Sequence, residues 1–125
     1  MSPLNSKPQS PILIVDDEPS MRAALSATLQ EEGYAVLTAA SGEDALRICT
    51  TRSSKDPFSA LLTDIKMPGM NGIDLFRKIQ EKWLNMPVIL MSAFGTVESA
   101  VEAMKSGAVD YLVKPFSEKT LLSAV

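Results

Sequence analysis

The sequence predicts a single α/β domain, a doubly wound five-stranded parallel sheet with helices on both faces. Two observations carry this reading. Apolar runs of strand length alternate along the chain with segments whose apolar residues recur at helical spacing. A succession of strand, helix and strand with short connections requires right-handed crossovers, and crossovers make the strands parallel. The size agrees: 125 residues with 46% hydrophobic content supply one core.

The elements follow in order. ILIV at 12–15 is the first strand, with no polar alternation, as expected where helices cover both faces. Pro19 suits the first position of a helix, and Met21, Leu25 and Leu29 repeat every four residues until Gly33 stops it. YAVLTA at 34–39 is the second strand. Ser41, followed three residues later by Asp44, resembles a capping box and opens a second helix with Ala45, Leu46 and Cys49 inward. ALLT at 60–63 is the third strand, Leu75, Phe76, Ile79 and Trp83 mark a third helix, and PVILM at 87–91 is the fourth strand. Val97, Ala100, Val101 and Met104 form the most regular amphipathic stripe, a fourth helix ended by Gly107. DYLV at 110–113 is the fifth strand, and a fifth helix from Ser117, with Leu121, Leu122 and Val125 inward, is expected to be truncated. Residues 1–11 carry three prolines and no apolar run, so they read as a flexible leader to a domain over 12–125.

Composition removes several functions. There is no histidine, hence no Ser-His-Asp or Cys-His nucleophile, no H-E-x-x-H zinc site and no imidazole base. A net charge of -3 opposes direct binding of nucleic acid or anionic membrane. The single cysteine, Cys49, makes no internal disulfide, and buried packing accounts for it. No apolar stretch approaches the roughly 20 residues that cross a bilayer, and the expected location is the cytoplasm. No phosphate-binding glycine motif is present either.

In open α/β sheets ligands bind beyond the carboxyl ends of the strands. The residues there are Asp16 and Asp17 after the first strand, Asp64 after the third, Ser92 after the fourth and Lys114 after the fifth. Two carboxylates about 4–5 Å apart repel by roughly 3–4 kcal/mol at an effective dielectric near 20, so something positive must offset them. Three carboxylates and one ammonium sum to -2, which one divalent cation balances. With oxygen as the only donor, Mg²⁺ fits better than Zn²⁺. Taken singly each residue has an ordinary reading: Asp-Asp before proline as a helix cap, Asp64 as a turn residue before MPGMNG, Ser92 and Lys114 as solvated groups. Taken together they form one constellation.

These residues also resemble a known family. The acidic pair in VDDE, LLTDIKMPGMNG around Asp64, MSA at Ser92 and DYLVKPF ending in Lys114-Pro115 are similar, in order and spacing over 12–125, to the receiver domains of bacterial two-component response regulators. The resemblance implies a flavodoxin-like (CheY-like) sheet of order 2-1-3-4-5. It implies Asp64 as the acceptor of a phosphoryl group from a phosphohistidine on a sensor histidine kinase, which also places the missing histidine on the donor. It implies Mg²⁺ held by Asp16, Asp17, Asp64 and the backbone carbonyl of Lys66, and Lys114 paired first with Asp64 and then with a phosphoryl oxygen. A cis peptide at Lys114-Pro115 is implied in the same way. Ser92 and Tyr111 would be the switch pair, with Ser92 drawing the loop at Ala93 and Phe94 inward and Tyr111 turning into the space left. The surface of the fourth helix, fifth strand and fifth helix would then change and serve a partner or a homodimer.

The stretch AFGTVESAVEAMKSGAVDYLVKPF is similar to NtrC-like receivers, which work with a σ54-activating ATPase and a DNA-binding domain. That implies a transcriptional output outside this chain and no nucleic-acid contact by the domain itself. The chain would catalyse only its own phosphorylation and dephosphorylation. Two other classes fit an acid-rich α/β rim: a Mg²⁺-dependent phosphatase of the haloacid dehalogenase type, which wants an acid where Lys66 stands, and a receiver-shaped interaction module that takes no phosphate, whose usual loss of an acid or the lysine is not seen here.

Overall fold

Apolar residues in unbroken succession form β1 (Ile12–Val15), and all four are buried. A computed structural model describes residues 11–52, 58–83, 86–92, 105, 110–113 and 119. Among them, β1 is followed by α1 (Pro19–Glu31), β2 (Val36–Ala39), α2 (Gly42–Thr51), β3 (Ala60–Asp64), α3 (Gly72–Lys82), β4 (Val88–Ser92) and β5 (Asp110–Val113). The strands form one sheet in the order β2-β1-β3-β4-β5, and every neighbouring pair is parallel. Of the expected fourth and fifth helices only residues 105 and 119 are described, and residues 1–10 of the expected leader and the Lys114-Pro115 peptide lie outside the described residues. Pro11, the last residue of that leader, is buried, and its carbonyl accepts from the Ser59 amide at 2.9 Å.

Period-two alternation divides the strand side chains between two cores. Leu13, Val15, Leu61, Val88 and Leu90 pack with Ala45 and Cys49 of α2 and Leu75, Phe76 and Ile79 of α3. Ile12, Ile14, Leu62, Ile89 and Met91 pack with Leu25 and Leu29 of α1 on the other face. Helices therefore cover both faces, as the apolar runs predict. Each fully buried leucine in these layers contributes roughly 1.5–3 kcal/mol relative to exposure.

Local chemistry sets the boundaries. Pro19 stands in the first turn of α1, and the helix closes at Gly33, whose φ of 94° is open to glycine without strain. The Gly33 amide donates to the Gln30 carbonyl at 3.0 Å and the Tyr34 amide to Leu29 at 3.1 Å, so Tyr34 belongs to the helix stop. For that reason β2 begins at Val36 rather than at residue 34. Ser41 caps α2 by accepting from the Asp44 amide at 3.1 Å, while the Asp44 carboxylate pairs with Arg47 at 3.0 Å. Pro87, with no N–H, precedes β4, and its carbonyl accepts from the Leu61 amide at 2.9 Å. Two strands run further than the sequence pattern suggests: β3 includes Asp64 and β4 includes Ser92.

Cys49 is fully buried on the inner side of α2. Burial pushes its thiol up from 9.0 to about 11, against the smaller opposing pull of the Arg52 guanidinium. Because the folded chain holds the proton that an unfolded thiol gives up, this contribution is complete below about pH 9 and is lost as the pH rises toward 11. A difference of about 2–3 kcal/mol at most is at stake. Denaturant midpoints of the parent should fall between pH 8 and pH 11 by more than those of Cys49→Ala, and native Cys49 should resist alkylation at neutral pH.

Candidate functional site

Register brings the acids together. The last ladder pair between β1 and β3 is Val15 with Thr63, so one step further along the two adjacent strands Asp16 stands beside Asp64. By parity both continue the rows Ile12-Ile14 and Ala60-Leu62, which pack toward α1. Asp16 is fully buried, Asp64 is buried at 8% exposure and the neighbouring Asp17 is exposed. One carboxylate oxygen from each of the three lies within 4.8 Å of the others. At that separation each pair of ionised carboxylates repels by about 3 kcal/mol at an effective dielectric near 20.

The turn after β1 is organised around Asp16 rather than around a conventional helix cap. Glu18 is the N-cap of α1 and makes no side-chain cap bond, so the acidic pair is not there to cap the helix. Asp16 Oδ1 instead accepts from the Glu18 amide at 3.0 Å, its own amide donates to Ala39 at 3.2 Å, and its carbonyl accepts from Arg22 Nη1 at 2.7 Å. These bonds leave the carboxylate facing its two acidic neighbours.

The loop after Asp64 is fastened by four hydrogen bonds. The Gly72 amide donates to the Ile65 carbonyl at 2.8 Å, and the Ile65 amide donates to Met91 on β4 at 2.9 Å. Glu43, in the first turn of α2, accepts from the Met70 amide at 3.4 Å. Asn71 caps α3 by accepting from the Asp74 amide at 2.9 Å. Gly72 admits no side chain: a Cβ there would lie 2.3 Å from the Asp64 carbonyl oxygen. Lys66, with an exposed side chain, sits in this loop two residues beyond Asp64.

The structure thus brings Asp16, Asp17 and Asp64 together and puts Ser92 on the adjacent strand. Asp64 pairs with Met91, so Ser92, buried at 6% exposure, is one position nearer the carboxyl edge. Ser92 pairs with Val113, and the Tyr111 backbone pairs with Leu90 in β5. Lys114 and the Tyr111 side chain lie outside the described residues. Sequence reasoning missed Arg22, Glu43 and Gly72. Arg22 acts on a backbone carbonyl, and the approaches of Glu43 and Gly72 depend on tertiary packing.

The donor set suits a hard divalent cation, since every available ligand atom is a carboxylate oxygen and the three lie within 4.8 Å of one another. No helix among the described residues is long and apolar enough to cross a membrane.

Comparison with known proteins agrees with this geometry. Residues 12–125 match the response regulator receiver domain family. The response regulator protein FleR of Pseudomonas aeruginosa is 42% identical over 114 residues, covering 91% of this chain and 23% of that protein. The C4-dicarboxylate transport transcriptional regulatory protein DctD of the same species is 40% identical over 117 residues, covering 94% of this chain and 24% of that protein. The chain spans about a quarter of the length of these curated relatives. Among solved structures, a response regulator receiver domain protein from Clostridium thermocellum superposes with a TM-score of 0.85 at 36% identity, covering 92% of this chain and 90% of that one. TrrA of Thermotoga maritima, solved in complex with Mg²⁺-BeF, superposes with a TM-score of 0.78 at 31% identity, covering 94% of this chain and all of that one. The relatives also bear out the similarity to NtrC-like regulators. With its sheet order, its converging acids and its matched length, the chain belongs to the response regulator receiver domain family.

Proposed function

We propose that the chain is a phosphorylation-driven switch whose acceptor is Asp64. The observation that carries this is the convergence of three carboxylates within 4.8 Å at the ends of adjacent strands, an arrangement that is costly without a cation. Asp16, Asp17 and Asp64, with the Lys66 carbonyl, would hold Mg²⁺, which when bound supplies positive charge to the three equatorial oxygens of the transferring phosphoryl group.

The chain's own residues do the rest. An Asp64 carboxylate oxygen forms a bond to phosphorus as the bond from phosphorus to the nitrogen of a partner's phosphohistidine breaks, and the electron pair stays on that nitrogen. The attacking atom is a carboxylate oxygen and catalysis of the step is positioning and charge stabilisation, so no general base is needed. Lys114 contributes an ammonium to the phosphoryl oxygens and Ser92 a hydroxyl donor. The chemistry is the chain's own phosphorylation and dephosphorylation, with a sensor histidine kinase as donor and Mg²⁺ as cofactor. Similarity to transcriptional regulators supports a transcriptional output domain, the net charge of -3 opposes nucleic-acid contact by this domain, and the cytoplasm is the proposed location.

Phosphorylation adds about -1.5 to -2 charge and three acceptor oxygens beside Ser92. Ser92 answers by bonding the phosphoryl group, Tyr111 turns inward, and the face made by the fourth helix, β5 and the fifth helix changes for a partner or a second copy. The test is intact mass after incubation with Mg²⁺ and acetyl phosphate, followed by amide chemical shifts with beryllofluoride. Parent and Ser92→Ala should both gain one hydroxylamine-labile phosphoryl group, and only the parent should show the full shift changes in β5. No adduct on the parent would contradict the acceptor role, and equal shift changes in both would remove Ser92 as transmitter.

A further inference from the structure

We propose that Arg22 is the positioning residue of the acidic cluster, setting the orientation of both Asp16 and Asp17 through one peptide plane. The inference rests on the divalent-site reading above and adds to it a residue outside the ligand set. The carbonyl of Asp16 and the amide of Asp17 belong to the same planar peptide unit. Arg22 Nη1 donates to that carbonyl at 2.7 Å, a short charge-assisted bond. Fixing the carbonyl fixes the plane, and the plane sets the directions in which the Cα atoms of Asp16 and Asp17 carry their side chains.

Asp16 lies one residue beyond the last β1–β3 ladder pair, and its amide still donates to Ala39 of β2 at 3.2 Å. Arg22 is itself well anchored, since its amide donates to the Glu18 carbonyl at 3.1 Å while Glu18 donates to Asp16 Oδ1. The turn from 16 to 22 is thereby closed at both ends. Since α1 packs on the face to which the Asp16 and Asp64 rows belong, it delivers the guanidinium to the cluster's side of the sheet.

Charge and position predict opposite results, and this makes the proposal testable. A guanidinium on the cluster's side of the sheet opposes a second cation, so removing its charge alone should tighten Mg²⁺ binding. Removing an outer partner that orients ligands should weaken binding, by about tenfold at the lower end of such effects. We expect position to win. Calorimetric titration of the chain with Mg²⁺ should give a dissociation constant about tenfold weaker for Arg22→Met and within about threefold of the parent for Arg22→Lys, which keeps one donor and the charge. The metal-free Asp17 amide nitrogen, whose peptide loses the bonded carbonyl, should shift in Arg22→Met and by less in Arg22→Lys. That signal reads the plane directly even if the affinity of one variant is obscured by poor folding. Tighter binding in Arg22→Met, or unchanged binding with only a lower unfolding temperature, would overturn the positioning role. Absence of any Mg²⁺ binding by the parent would instead remove the divalent-site reading on which the proposal stands.

Discussion

Asp64→Asn should abolish phosphoryl uptake from acetyl phosphate and, in the metal-free chain, raise stability by about 1–3 kcal/mol. Both effects come from the same charge. The neutral amide lacks the anionic oxygen that bonds phosphorus, so the intact mass should remain that of the unmodified chain. It also removes two of the three repulsions in a cluster whose carboxylate oxygens lie within 4.8 Å. Each is worth about 3 kcal/mol at an effective dielectric near 20, reduced by the exposure of Asp17 and by screening. Added Mg²⁺ should stabilise the parent more than the variant, because binding to the folded state alone raises stability by mass action and the variant has one ligand charge fewer. Thermal unfolding with and without Mg²⁺ reads all of this.

Gly72→Ala should be the most destabilising alanine substitution at a described glycine and should damage the site at a distance. Its Cβ would meet the Asp64 carbonyl oxygen at 2.3 Å, the Ile65 Cα at 2.8 Å and the Asp64 carbonyl carbon at 2.9 Å, all backbone atoms that cannot swing aside. Either α3 moves outward or β3 bends at its last residue. Overpacking of this kind costs about 3 kcal/mol, beyond the roughly 1 kcal/mol at most that alanine gains over glycine inside a helix. A fall of roughly 10 °C in the unfolding midpoint follows for a domain of this size. If β3 bends, Asp64 is displaced with it and Mg²⁺ affinity drops too; calorimetric titration of the folded variant measures that part.

Much of this was legible in the sequence because burial on two faces leaves an unmistakable pattern. ILIV, ALLT and VILM have no polar alternation, which announces parallel strands under helices, and such strands place the residues that follow them on one rim. Asp16, Asp17, Asp64 and Ser92 are found there for that reason alone. The strand order needed family resemblance, since periodicity says nothing of which parallel strand neighbours which. Boundaries slipped where a backbone device overrode composition: Tyr34 looks like strand but serves the stop of α1, and Pro87 is apolar but cannot enter the ladder through an amide. Arg22, Glu43 and Gly72 were illegible as site residues because their roles lie in contacts with backbone atoms. A bond to a carbonyl, a bond from an amide and an absent Cβ leave no pattern of residue types.

The central claim, that Asp64 receives the phosphoryl group, is tested most directly by trapping the adduct chemically. After incubation with Mg²⁺ and acetyl phosphate, borohydride reduction converts an aspartyl phosphate to homoserine, which survives digestion and is located by peptide fragmentation. Homoserine is expected at position 64 and at no other aspartate. Homoserine at 16 or 17, or none anywhere in a chain that binds Mg²⁺, would contradict the claim.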